Sequence, residues 1–252
     1  MNEKKYWLGF NIVPRIGPVR VHALLERFGS LEAAWHADAF QLQAAGLDRL
    51  ALQNLLTARA RLSLDEEWAK VERAGVQVLT WEDAAYPRLL HQIDDAPPVL
   101  YVKGELTAAD EWAVAVVGTR HATTYGREMA RQIAGDLARS HVTVVSGLAY
   151  GIDAIAHKAA LDAGGRTIAV MGCGVDIIYP SEHRVLAEAI VKSGALVSDY
   201  PLGTKPEGRN FPPRNRIISG LSLGTLIVEG TETSGAMITA RFAVEQNREV
   251  FA

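Results

Sequence analysis

From Glu3 to about Ala74, apolar side chains recur at helical spacing among Ala, Leu, Arg and Glu. Leu24, Leu25 and Phe28 share a face, as do Leu50, Leu52, Leu55 and Leu56 more broadly. Breaks at Pro14, Gly17-Pro18, Gly29-Ser30 and Gly46 predict four or five short helices. From Val76 onward the period changes, and β-branched runs alternate with helical patterns. Strands are predicted over 76–81, 99–103, 113–117, 142–145, 167–171, 195–199, 225–228 and 249–251. Helices are predicted over 125–139, 152–163, 182–192, 214–221 and 234–247. Apolar strands covered by helices on both faces imply an α/β fold with a doubly wound, mainly parallel sheet. The change of regime divides the chain into a small all-helical unit, 1–75, and a sheet unit, 76–252.

Right-handed crossovers bring the C-terminal ends of the parallel strands to one edge. Gly118-Thr119-Arg120, Ser146-Gly147, Gly172-Cys173-Gly174 and Glu229-Gly230 each follow a strand directly, and Ser234-Gly235 opens a helix. Open α/β sheets bind ligands at that edge, where glycines admit a ligand to the backbone and helix starts favour anions. The same glycines also suit plain tight turns. The dinucleotide fingerprint G-x-G-x-x-G is absent after 113–117, Gly172-x-Gly174 lacks its third glycine, and no G-x-x-x-x-G-K-[ST] loop occurs. No cofactor is therefore expected.

Asp153 and His157 lie four apart on one predicted helix, but no second pair or Cys/His cluster joins them, so no metal is expected. Asp153 is expected to take free N–H groups at the helix start, and His157 to pack or hydrogen-bond under the loop. Cys173 has no recognisable His partner and reads as a small turn residue. The acidic residues form no two-metal constellation, and no catalytic residue is assigned.

Composition narrows the class. The 252 residues are 48% hydrophobic and 22% charged, ordinary for a globular protein. The single cysteine forms no internal disulfide and fits a reducing compartment. The opening Met1-Asn2-Glu3-Lys4-Lys5 leads into no signal-type apolar run, and no apolar stretch is long enough to span a bilayer. A cytoplasmic protein is expected. The net charge of −3 excludes a globally basic DNA-coating protein. Between Pro201 and Gly220, however, Lys205, Arg209, Arg214 and Arg216 face only Glu207, leaving a local +3. This stretch contains Phe211-Pro212-Pro213-Arg214-Asn215-Arg216. An exposed Phe offers a face for a base, the cations neutralise phosphate, and the prolines are expected to hold the segment extended. A buried Phe with arginines capping the next helix would give the same local sequence. Upstream, Val13-Pro14-Arg15-Ile16-Gly17-Pro18-Val19-Arg20 resembles a helix-hairpin-helix element, a phosphate contact for DNA or a structural corner.

Five ordered motifs carry a family resemblance. They are Val116-Val117-Gly118-Thr119-Arg120; Ser146 to Asp153 with Ala156-His157; Ile168 to Gly174 with Tyr179-Pro180; Phe211 to Ile218; and Ser234 to Ala240. Tyr86-Pro87-Arg88-Leu89-Leu90 and Pro98-Val99-Leu100-Tyr101 add to them. Together they resemble the DNA-processing protein A family (DprA/Smf) over essentially all of 76–252. The resemblance implies an extended Rossmann-like fold behind a SAM-like or helix-hairpin-helix N-terminal unit. It implies sequence-independent binding of single-stranded DNA, protection of incoming strands and loading of the recombinase RecA in natural transformation, without enzymatic activity. It also implies a homodimer for the full-length protein. Arg120 is expected to hold phosphate, Lys205 or Arg209 to supply a second cation, and Phe211 to stack. Arg214 and Arg216 would hold phosphate or brace the loop. Gly118, Thr119, Ser146, Gly147, Gly172, Gly174, Asn215, Ser234 and Gly235 complete the expected DNA contacts. Asp199 stands where the family commonly has Glu. The family's last sheet segment would continue beyond Ala252, so the chain reads as C-terminally truncated.

Two other readings fit parts of the sequence. Gly224-Thr225 with Glu229 is similar to part of the LOG-type nucleotide phosphoribohydrolase motif. Gly220-Leu221-Ser222-Leu223 replaces that motif's proline and two glycines, and the spacing to Glu is one residue longer. A protein-interaction scaffold with an incidental charged groove is the third reading.

Overall fold

Six helices come first. In this computed structural model, which describes residues 3–252, they are α1 (Lys4–Ile12), α2 (Pro18–Phe28), α3 (Leu31–His36), α4 (Ala39–Ala44), α5 (Arg49–Arg61) and α6 (Leu64–Arg73). The Gly and Pro breaks predicted four or five. Two boundaries are instead set by side-chain caps: Asp38 accepts from Gln41 N (2.8 Å) to start α4, and Ser63 accepts from Glu66 N (3.3 Å) to start α6. Leu52 and Leu55 of α5 are buried, whereas Leu50 and Leu56 face outward, so only part of the predicted apolar face points inward. Phe10 packs edge-on against Trp35 at 5.3 Å. The same core cluster continues through Tyr101, Leu148, Ala169 and Met171, which ties the helices to the sheet.

Eight strands form one sheet: β1 (Gln77–Thr80), β2 (Val99–Gly104), β3 (Ala113–Val117), β4 (Thr143–Ser146), β5 (Thr167–Val170), β6 (Gly194–Ser198), β7 (Gly224–Ile227) and β8 (Glu249–Phe251). Their order is β1-β2-β6-β5-β4-β3-β7-β8. The pairings β1/β2 and β2/β6 are antiparallel, and all others are parallel. The mainly parallel, doubly wound α/β sheet expected from the pattern is present. Adjacent residues feed opposite faces: Ala115 and Val117 join one core cluster, and Val116 joins another.

On the Val116 face, α8 (Thr124–Arg139) and α9 (Ile152–Asp162) pack through small residues, among them Ala130, Ala134, Ala156 and Ala160. The other face carries α7 (Arg88–His91), a single unpredicted turn, with α11 (Phe211–Gly220) and α12 (Gly235–Glu245). Between them in sequence, α10 (Arg184–Ser193) leads into β6. The strand order reverses at β3, which has β4 on one side and β7 on the other. That reversal leaves a crevice at the strands' C-terminal ends.

Candidate nucleic-acid interface

A groove of about 570 Å³ occupies this crevice. Gly118 to His121, following β3, form one wall, and Ser234 to Ala236 at the start of α12 form another. Phe211, Pro212, Arg214 and Asn215 of α11 close the third side, with Tyr179, Pro206 and Gly208. The prolines do not hold Phe211 extended. They sit in the first turn of α11, where their fixed φ suits the helix and a missing N–H costs no intrahelical bond.

Arg120 is exposed at the rim. Its loop is fixed from beneath: Ile152 N donates to Thr119 O (3.2 Å), and Thr119 N donates to Glu229 O (2.7 Å). Gly151 lies against it at φ +76°, where a side chain would run into the Arg120 backbone. Lys205, next in sequence to the lining residue Pro206, is exposed, and no carboxylate pairs with it among the described residues. Arg209, 80% exposed, is 2.6 Å from Glu207, a surface pair that holds its cation only weakly. Ser234 Oγ is buried without a hydrogen-bond partner among the described residues, at the start of α12.

Beneath the groove the charges are structural. Arg214 is 4% exposed. It donates to Gly147 O (3.0 Å) and to Val170 O, and its Nε donates to Asn215 Oδ1 (3.1 Å). The Asp153 carboxylate accepts from Gly147 N (3.1 Å) and Ala149 N (3.3 Å). These are amides of the loop before α9, not the helix-start amides expected for it. Burial pushes the Asp153 carboxyl up, with the Arg214 cation opposing it, and burial lowers the Arg214 guanidinium. A Cβ on Gly147 would lie 2.6 Å from Arg214 Nη2 and 2.9 Å from Asp153 Oδ2, so both side chains close directly over this glycine. Arg216 is also enclosed, 2.9 Å from Asp199 and 3.1 Å from Asp95. Burial opposes its charge, but the two carboxylates outweigh it and raise its pKa.

The Glu229 carboxylate accepts from Thr123 N (3.0 Å) and Thr123 Oγ1 (3.1 Å) at the start of α8. It does not line the groove. His157 is buried with Nδ1 2.6 Å from Thr167 Oγ1, as a packed histidine. Cys173 donates to Ile177 O (3.2 Å), and burial pushes its thiol up to about 11, the state of an inert turn residue. No group of three or more His, Cys, Asp or Glu suited to a metal occurs among the described residues.

The sequence model described as DNA recombination-mediator protein A matches residues 77–252. The chain belongs to this family. It is 43% identical to Protein Smf of Synechocystis sp., covering 100% of this chain and 64% of the relative. It is 44% identical to Protein Smf of Escherichia coli, covering 86% of this chain and 58% of the relative. The chain therefore spans about three fifths of these relatives' length. The solved structure of DNA processing protein A from Streptococcus pneumoniae superposes with a TM-score of 0.84 at 31% identity, covering 100% of this chain and 86% of that one. The Helicobacter pylori DNA processing protein A, solved to describe its single-stranded DNA binding mode, superposes at 0.63 and 31% identity over 70% of this chain and 80% of that one.

In this recombination-mediator family member the predicted contact residues divide by position. Gly118, Thr119, Arg120, Phe211, Arg214, Asn215, Ser234 and Gly235 line the groove, and Lys205 and Arg209 flank it in sequence beside Pro206 and Gly208. The remaining five do not line it. Ser146 is fully buried and donates to Val116 O (2.7 Å), and Gly147 is enclosed by Arg214 and Asp153. Gly172 lies under the Phe211 ring, Gly174 packs against Asp176 and Pro201, and Arg216 is held in its ion pairs. Sequence reasoning missed His121, Tyr179, Pro206 and Thr239, all of which line the groove. Tyr179-Pro180 stood within a family motif, the only signal that could have found Tyr179. No helix among the described residues is long and apolar enough to cross a membrane.

Proposed function

We propose that this chain binds single-stranded DNA without sequence preference in the rim groove, and that it acts as a non-enzymatic mediator passing the strand to a RecA-type recombinase. The supporting observation is the groove itself, at the sheet's reversal point, with exposed Arg120 and an aromatic wall lining it and exposed Lys205 next in sequence to the lining residue Pro206. Arg120 and Lys205 contact phosphates, and the amides at the start of α12 with Ser234 Oγ receive another oxygen. Residues 1–75 act as a helical unit packed on the sheet, and the longer protein pairs as a homodimer in the cytoplasm. The mediator role and the RecA partner rest on family membership alone. The hydrolase reading gains nothing from the geometry, because Glu229 is engaged at Thr123 and faces away from the groove.

Fluorescence anisotropy with labelled oligo-dT at several salt concentrations tests this reading. Binding should weaken with salt, and Arg120→Ala should both weaken it and reduce the log–log slope by about 0.7. An absence of binding at low salt would sink the proposal.

A further inference from the structure

The Arg120 guanidinium has no hydrogen bond or ion pair among the described residues, so its position depends on its backbone. That backbone rests on the loop between β4 and α9. Ile152 N donates to Thr119 O (3.2 Å), and a Cβ on Gly151 would stand 2.3 Å from Thr119 O and 2.7 Å from the Arg120 carbonyl carbon. Three residues before Gly151, Leu148 is fully buried with φ at +57°, a left-handed conformation that a bulky side chain rarely takes. Surrounding groups must hold such a residue in place. One of them is His183, in the turn before α10, whose Nδ1 lies 2.9 Å from Leu148 O. A carbonyl only accepts, so Nδ1 carries the proton and donates. Tyr150 of the same loop steadies the imidazole: its ring meets His183 edge-on at 5.2 Å, and its hydroxyl bonds to Glu182. His183 itself does not line the groove.

We propose that His183 is a positioning residue for phosphate binding: by holding Leu148 O it fixes the β4–α9 loop, and through Gly151 and Ile152 that loop fixes Arg120. The inference rests on the single-stranded DNA reading and goes beyond it by naming a group outside the groove on which the rim cation depends. Without its donor, the Leu148 carbonyl no longer secures a strained residue, and the loop relaxes. The relaxation reaches Arg120 directly, because Gly151 has no side chain to keep the two loops apart. A displaced Arg120 meets phosphate less well, so the loss falls on the salt-dependent part of binding.

The test is oligo-dT anisotropy against salt on wild type, Arg120→Ala, His183→Leu, His183→Gln, His183→Asn and the Arg120→Ala/His183→Leu double variant. The asparagine amide nitrogen stands where Nδ1 stands, two bonds from Cβ, whereas the glutamine nitrogen reaches one bond farther. His183→Leu and His183→Gln should each weaken binding roughly 3- to 10-fold, the worth of one hydrogen bond, and lower the log–log slope by up to about 0.7. His183→Asn should bind within about twofold of wild type with the slope kept, which a direct imidazolium contact with DNA would not allow. In the Arg120→Ala background, His183→Leu should cost less than about twofold more, because the two residues act through one contact. If Arg120→Ala is impaired and His183→Leu and His183→Gln bind as wild type, the groove reading stands and the positioning role falls. A loss with unchanged slope would place the effect on the aromatic wall and overturn the proposal, as would equal losses in the Asn and Leu variants or full additivity in the double variant. If wild type binds no oligonucleotide, both readings fall together.

Discussion

Replacing Arg214 by Met separates a buried brace from a phosphate ligand. The guanidinium is 4% exposed and joins three segments: α11, which carries it; the loop after β4, through Gly147 O; and the end of β5, through Val170 O. Its charge also acts on the nearby buried Asp153 carboxyl, which accepts two amide N–H groups from its own loop and whose pKa burial raises. Methionine fills similar volume but leaves two buried carbonyls without their charged donor and removes the cation nearest Asp153. Leaving these groups desolvated without their donor costs about 3–5 kcal/mol. In a chain of 252 residues that lowers the thermal midpoint by roughly 6–20 °C. The assay is urea and thermal unfolding of wild type, Arg214→Met, Asp153→Asn and the double variant. Asp153→Asn alone should also destabilise, and the double variant should cost less than the sum of the singles, with a coupling of about 0.5–3 kcal/mol. A stable Arg214→Met protein, within about 1 kcal/mol of wild type, whose oligo-dT salt slope falls would refute the reasoning. The guanidinium would then reach phosphate from the groove floor and contribute little to the fold.

Two further substitutions test the frame. Burial, with neighbouring His183 and Arg214, holds His157 down to about 3, against an ordinary value of 6.5. The unfolded chain therefore takes a proton near pH 6.5 that the folded chain refuses, and stability is full above that pH and falls as pH drops toward 3. Between pH 7 and pH 5 the loss should be about 2 kcal/mol, read from urea midpoints, and His157→Gln should abolish this part of the pH dependence. Gly172→Ala should push Phe211 off its seat and disturb Tyr179. It should weaken oligo-dT binding with an unchanged salt slope and cost about 1–3 kcal/mol of stability, and normal binding would show that the aromatic pair tolerates the shift.

The sheet was legible because its strands are short apolar runs stopped by glycine or serine. Ala113–Val117 ends at Gly118, and the predicted bounds of that strand match the structure. The binding edge followed from topology alone, since alternating strands and helices send every βα loop to one rim. Helix boundaries set by Asp38 and Ser63 were not legible, because Asp and Ser serve turns and loops as readily as helix starts, and no Gly or Pro marks these two breaks. The fate of the arginines could not be read locally either. Arg214 finds Gly147 67 residues away, and Arg216 finds Asp95 121 residues away. Nothing in Phe-Pro-Pro-Arg-Asn-Arg distinguishes an inward guanidinium from an outward one. The same holds for Phe211, whose partial enclosure depends on Gly172 and on Tyr179, both outside the segment.

Glu229 explains how such a sheet directs an anion away from its first helix. In a doubly wound sheet the strongest ready-made phosphate site is the start of the helix after the central strand, here α8 after β3. That position is already filled. Glu229, from the strand on the other side of β3, presents its carboxylate to Thr123 N and Oγ1, and Gly126 leaves no room for a Cβ against the same carboxylate. The negative charge offsets the helix dipole where a pyrophosphate would otherwise be drawn. Thr119 N is engaged as well, by Glu229 O. An anion entering the crevice meets instead Arg120 at the rim and the start of α12, where Ser234 Oγ has no partner among the described residues. These groups stand on different walls of an open groove, and a compact diphosphate gains little from such separated contacts. A chain of phosphates can meet them one after another, with its bases turned to the aromatic wall.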